Sequence, residues 1–131
     1  MPHTFVMHID EAPYRFGEPQ KPGRPRERAN QILGDMEKGP WTFISHLPAG
    51  FESKPHSHPQ DELIFILEGG LEFGGRTCGP GTVIFNTKDT VYGFKVGKEG
   101  VRFMNIRPGP EGLNAINYVG EKSAQAPAAK K

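Results

Sequence analysis

In the stretch KPHSHPQDE, His56 and His58 stand two positions apart and Glu62 follows four residues later. Side chains at i and i+2 of an extended segment point the same way, so the two imidazoles share one face. Pro59 forces a bend before the next apolar run, and such a bend can bring Glu62 alongside them. Two neutral imidazoles and one carboxylate on one side of an ion form the 2-His-1-carboxylate facial triad. That set suits Fe(II) and neighbouring first-row metals and leaves positions open for substrate or O2. With no metal, the same residues are simply polar groups of a loop. Taken alone, the residues leave both readings open.

Such side chains need a frame, and the composition says which kind. The 131 residues include 17 Gly and 13 Pro with a hydrophobic share of 35%, which favours short strands and tight turns over long helices. From Trp41 onward the rhythm is regular. WTFISHL alternates and stops at PAG; DELIFILEG closes on a glycine pair; LEFGG, TVIFN, TVYGFKV and VRFMNIR follow, each bounded by Gly, Pro, Asn or Asp. This pattern predicts an all-β, antiparallel sandwich or barrel. Upstream, Thr4 to Ile9 is expected to form a short strand and ANQILGD a second one, ended at Gly34. Between them, Pro13, Pro19, Pro22 and Pro25 mark an irregular arm on the surface or on a partner subunit. Residues 24–38 are the one window with some helical pattern, but Pro25 and Gly34 interrupt it and no helix is expected. The chain therefore divides into an N-terminal segment with the arm (1–40), a barrel core (41–110) and a C-terminal segment with a frayed tail (111–131).

Sixteen basic and 15 acidic residues give a net charge of +1, too little for a nucleic-acid or anionic-membrane footprint. The single cysteine, Cys78, excludes an internal disulfide and a cysteine-rich zinc site. No run approaches the length of a membrane helix and the N-terminus carries no secretory pattern, so a cytoplasmic location is the default expectation.

The flanking glycines add to the His–Glu cluster. Gly50, five residues, His56, one, His58, three, Glu62, six and Gly69 resemble the first motif of the cupin superfamily, G-x5-H-x-H-x3-4-E-x6-G, at every position. The second motif of that family, G-x5-P-x-G-x2-H-x3-N, would start at Gly81. There the chain departs, with Thr87 at the proline place, Asp89 at the glycine place, Val96 at the asparagine place and Tyr92 where the fourth metal-binding histidine belongs. The resemblance spans roughly residues 41–107. It implies a jelly-roll of two facing sheets, with one divalent ion on His56, His58 and Glu62. Fe(II) is favoured there, and Mn, Ni, Cu or Zn are alternatives. It also implies a homodimer.

Tyr92 has three readings: a contact to substrate or to a ligand's partner, a space-filling wall residue bonded to Glu62 or to water, or a direct ligand through its phenolate. By alternation Asp61 faces away from Glu62, whereas Ile64 and Ile66 share its face. His46 on WTFISHL is a second catalytic candidate if its face lines the barrel. Arg102 and Asn105 lie in opposite phases of VRFMNIR, so one of them faces inward. His3 and His8 carry no assigned role, and nothing near Cys78 activates its thiol. The expected function is a metal-dependent enzyme, most readily an oxygenase, acting on a compact oxygen-rich metabolite. A lyase or isomerase, or a non-catalytic ligand-binding module, is the alternative.

Overall fold

The computed structural model describes residues 4, 6–12, 14–16, 29–110 and 116–119. Among the described residues nine strands follow a 3-10 turn at Ile9–Glu11: β1 (Tyr14–Phe16), β2 (Ala29–Gly34), β3 (Trp41–Leu47), β4 (Glu52–Ser57), β5 (Glu62–Phe73), β6 (Arg76–Cys78), β7 (Val83–Asn86), β8 (Tyr92–Arg107) and β9 (Asn117–Tyr118). All pairings are antiparallel, in the order β1-β2-β3-β8-β4-β9, with β5 joined to β6, β7 and β8. This is the expected all-β jelly-roll architecture. The ladder is not closed among the described residues, because β6 and β7 each pair with β5 alone.

Two expected breaks are bends instead. The runs DELIFILEG and LEFGG form one strand, β5, and TVYGFKV and VRFMNIR form another, β8. The two pair with each other from Leu63↔Ile106 to Phe73↔Phe94, with register shifts around Glu68 and Gly69. Bulges there let both strands turn a corner together without ending. Gly69 is the hinge: its φ is +71°, and a Cβ on it would lie 2.0 Å from the Gly100 carbonyl oxygen. Only glycine permits that approach. The bend brings the two halves of each strand face to face around a core of Leu47, Ile64, Ile66, Leu71, Val96, Val101 and Phe103. Each such side chain, fully buried, contributes about 1.5–3 kcal/mol relative to exposure.

The N-terminal segment differs from expectation. Val6 to His8 are not in a strand, and Ile9–Glu11 form the 3-10 turn. His8 caps it: its Nδ1 accepts from the Asp10 amide (3.1 Å) while its own amide donates to Glu11 Oε1 (3.0 Å). β2 forms as expected, and the window from residue 29 to 38 is strand and turn. The expected irregular arm from residue 13 to 28 holds strand β1 at Tyr14–Phe16; its remainder from residue 17 to 28 and the tail from residue 120 lie outside the described residues. No helix among the described residues is long and apolar enough to cross a membrane.

Candidate functional site

β4 ends one residue before His58, and its pairing with β8 shifts between Ser53 and His56. Pro55, with no N–H to give the ladder, accounts for that irregularity. His56 then pairs with Tyr92 on β8 and with Tyr118 on β9. The rings follow the backbone: His56 lies 5.0 Å from His58, 4.5 Å from Tyr92 and 5.7 Å from Tyr118 between centroids. His56 Nδ1 donates to the Lys54 carbonyl at 2.6 Å, which leaves Nε2 as the basic atom of the ring.

Glu62 opens β5 and is buried together with Ile64 and Ile66, the shared face that alternation predicts. Asp61 is exposed and accepts from the Lys88 amide at 2.8 Å. The Glu62 carboxylate is a hub. Oε1 accepts from Asn105 Nδ2 at 2.9 Å and pairs with Arg107 Nη2 at 3.3 Å; Oε2 accepts from Asn86 Nδ2 at 3.2 Å. Arg107 in turn donates from Nε to Asn105 Oδ1 at 2.8 Å. Tyr92, from the facing half of the fold, donates its phenol to Glu62 as well. Burial pushes this carboxyl up. The Tyr92 hydrogen bond, the Arg107 charge, the Asn105 amide and the His58 charge together outweigh it and hold the group below its ordinary value.

The phase left open on the last strand is settled in favour of Asn105. Val101, Phe103, Asn105 and Arg107 face inward, and Arg102 points out to pair with Glu68 (3.0 Å) and Asp10 (3.3 Å). Arg107, Asn86 and Trp41 were not singled out by sequence. For Arg107 the signal was present: it lies in the phase of Asn105 and ends the same strand. Its guanidinium sits 5.6 Å from the Trp41 ring centroid and 5.5 Å from that of Phe43. His46 takes no place at the cavity. It lies on the other face of β3, where its Nε2 bonds Gln31 Oε1 at 2.7 Å, and Gln31 Nε2 donates to the carbonyls of Ile9 and Ala12. Cys78 is buried in the core.

A cavity of about 650 Å3 opens between the two halves, and His56, His58, Tyr92, Asn105 and Arg107 are on its wall. Whether these residues suit a divalent ion turns on Glu62. His56, anchored through Nδ1, is held as a ligating imidazole is held, and His58 is beside it. The carboxylate, however, already accepts from three side chains on its two oxygens and faces a guanidinium. Among the described residues no three His, Cys, Asp or Glu side chains come together as metal donors. As arranged, the three do not fit one ion.

Comparison with known proteins agrees with the motif. Residues 4–111 match the family model of the ChrR cupin-like domain. No curated protein sequence matches the chain. Among solved structures, the polyketide cyclase RemF from Streptomyces resistomycificus is similar with a TM-score of 0.69 at 20% identity, over 97% of this chain and 96% of that one. The DMSP lyase DddQ from Ruegeria pomeroyi DSS-3 gives a TM-score of 0.64 at 20% identity, over 87% of this chain and 64% of that one. Oxalate decarboxylase from Bacillus subtilis gives 0.63 at 12% identity, over 89% of this chain and 33% of that one. At such identities the likeness is one of fold. The family match covers most of the chain, and with the complete first motif and the jelly-roll ladder it shows that this protein belongs to the ChrR cupin-like family of the cupin superfamily.

Proposed function

We propose that the chain is a small-molecule enzyme of the cupin type whose chemistry is proton transfer: elimination, isomerisation or ring closure. One observation carries this reading: His56, Tyr92 and Arg107 stand on the wall of a single cavity, with Tyr92 and Arg107 both backed by the buried Glu62. His56 Nε2 removes a proton from a carbon next to a carbonyl group. The electron pair passes to the carbonyl oxygen, which Arg107 and the Asn105 amide stabilise as it gains charge. Tyr92, turning its O–H from Glu62 to the substrate, returns a proton to the leaving group or to the closing ring. His46 has no part in this scheme. The cyclase, lyase and decarboxylase among the similar structures support a reaction of this general kind.

A second reading keeps the metal-dependent oxygenase, because His56 is anchored as a ligand would be. An ion on His56, His58 and Glu62 would supply Lewis acidity or O2 chemistry. For this, Glu62 must turn from Arg107 to the ion. Elemental analysis of untagged protein purified without chelator separates the two readings. Near-stoichiometric iron that is lost in His58→Ala would favour the second.

The proposal itself is tested by proton NMR of β-keto acids, hydroxy acids and aryl ketones incubated with the chain in D2O. Exchange or conversion is expected, falling about a hundredfold or more in His56→Gln and in Tyr92→Phe with the fold kept by circular dichroism. Rates unchanged in both variants, or tight binding with no conversion, would overturn it; the latter leaves a ligand-binding module.

A further inference from the structure

The cavity wall mixes polar groups with aromatic rings. Next to Glu62 stand His56, His58, Tyr92, Asn105 and Arg107. Phe51, Phe94 and Phe103 line it as well, with Ser45 and Ser53 paired beside Phe103 and Phe94, and Trp41 and Phe43 flank the guanidinium. The rings are held in place. Phe94 and Phe103 meet edge to face at 6.1 Å and 88°, and Trp41 and Phe43 stack at 5.4 Å and 29°. The compact oxygen-rich metabolite that the sequence leads one to expect would occupy only the space next to Glu62. It would leave the phenyl rings of the wall uncovered.

We propose that the cavity takes a flat aromatic molecule of two or three fused rings bearing an acidic oxygen, a phenol, enol or carboxyl, at one edge. The ring body lies among Phe43, Phe94 and Phe103, where edge-to-face and offset contacts favour another aromatic face over an aliphatic chain. The oxygen lies at Arg107, a donor aimed by Glu62, with the Tyr92 hydroxyl beside it. A volume near 650 Å3 is ample for such a body, since sites for drug-sized ligands run from about 300 to 1,000 Å3. This substrate class rests on the enzymatic reading of the same site, but it is tested by binding alone.

The experiment is calorimetric titration of the full chain with three probes: 3-hydroxy-2-naphthoate, salicylate and acetoacetate. The first two share their oxygens and differ by one ring; the third has oxygens and no ring. The expected order is naphthoate tightest, salicylate about tenfold weaker, and acetoacetate weaker again by at least about tenfold. Phe94→Leu, which keeps the wall apolar, should weaken naphthoate several-fold and leave acetoacetate unmoved. Equal affinities, a preference for acetoacetate, or no binding by any of the three would overturn the proposal. Naphthoate binding in a chain that converts no substrate sinks the enzymatic reading and keeps the aromatic class. Turnover of a compact acid with no aromatic binding does the reverse.

Discussion

Glu62 concentrates the energetics of the site in one carboxylate. Burying it costs solvation, and the guanidinium of Arg107 with three neutral donors offsets that cost. Removing one member of such a pair leaves a buried charge alone. Arg107→Met is therefore expected to lower stability by about 3–5 kcal/mol in a denaturant titration. Since the folded-state pKa of Glu62 lies below its unfolded value of 4.5, its stabilising contribution is complete above that value and is withdrawn as pH falls through the folded one. Stability of the native chain should accordingly drop in acid below about pH 4.5, and Glu62→Gln should flatten that part of the profile; parallel profiles would contradict it. The sequence showed the two histidines and the carboxylate as a unit. It could not show that Asn105 and Arg107 would reach the carboxylate, because that depends on which phase of β8 faces in and on a contact between strands far apart in sequence.

The strands themselves were largely legible, since alternation and turn residues mark β2, β3, β5, β7 and β8. What was not legible is continuity. A glycine pair reads as a stop, yet in β5 it is the place where the strand bends while its partner bends with it. The same motif holds a control for this argument. Gly50 and Gly69 both have positive φ, +79° and +71°, but a Cβ at Gly50 meets nothing within 4 Å while one at Gly69 collides with backbone. Gly50→Ala should cost about 1–2 kcal/mol from backbone strain alone. Gly69→Ala must also push β8 away and should cost clearly more, about 3 kcal/mol or beyond, by thermal or chemical melting. Equal costs would mean that β5 and β8 separate freely at the bend.

Across the whole molecule, one outer face of the sheet is apolar. Leu63 and Phe65 on β5 lie opposite Phe85 and Val83 on β7, with Ile106 on β8 beside them, and all five are exposed. Together they make a patch on the order of several hundred Å2, large for a surface meant to face water. β7 pairs only with β5 among the described residues, so the patch ends at an open sheet edge. We expect a second copy of this chain to cover it, since a stable dimer buries about 800 Å2 per partner and a patch plus a paired edge comes near that. Light scattering should give twice the mass of one chain, and Phe85→Glu should return it to one. A native chain that runs as a monomer ends the expectation. The homodimer was expected on family resemblance, and the exposed cross-strand pairs are the surface on which we propose to look for it.

The chain has one tryptophan, and it stands on the cavity wall with a guanidinium 5.6 Å from its ring. Indole emission responds to the charge and the water near it, so a filled cavity and an empty one differ in colour and brightness. The molecule thus carries its own optical gauge of occupancy. Candidate ligands can be ranked in a cuvette with unlabelled protein, before any reaction has been found for them.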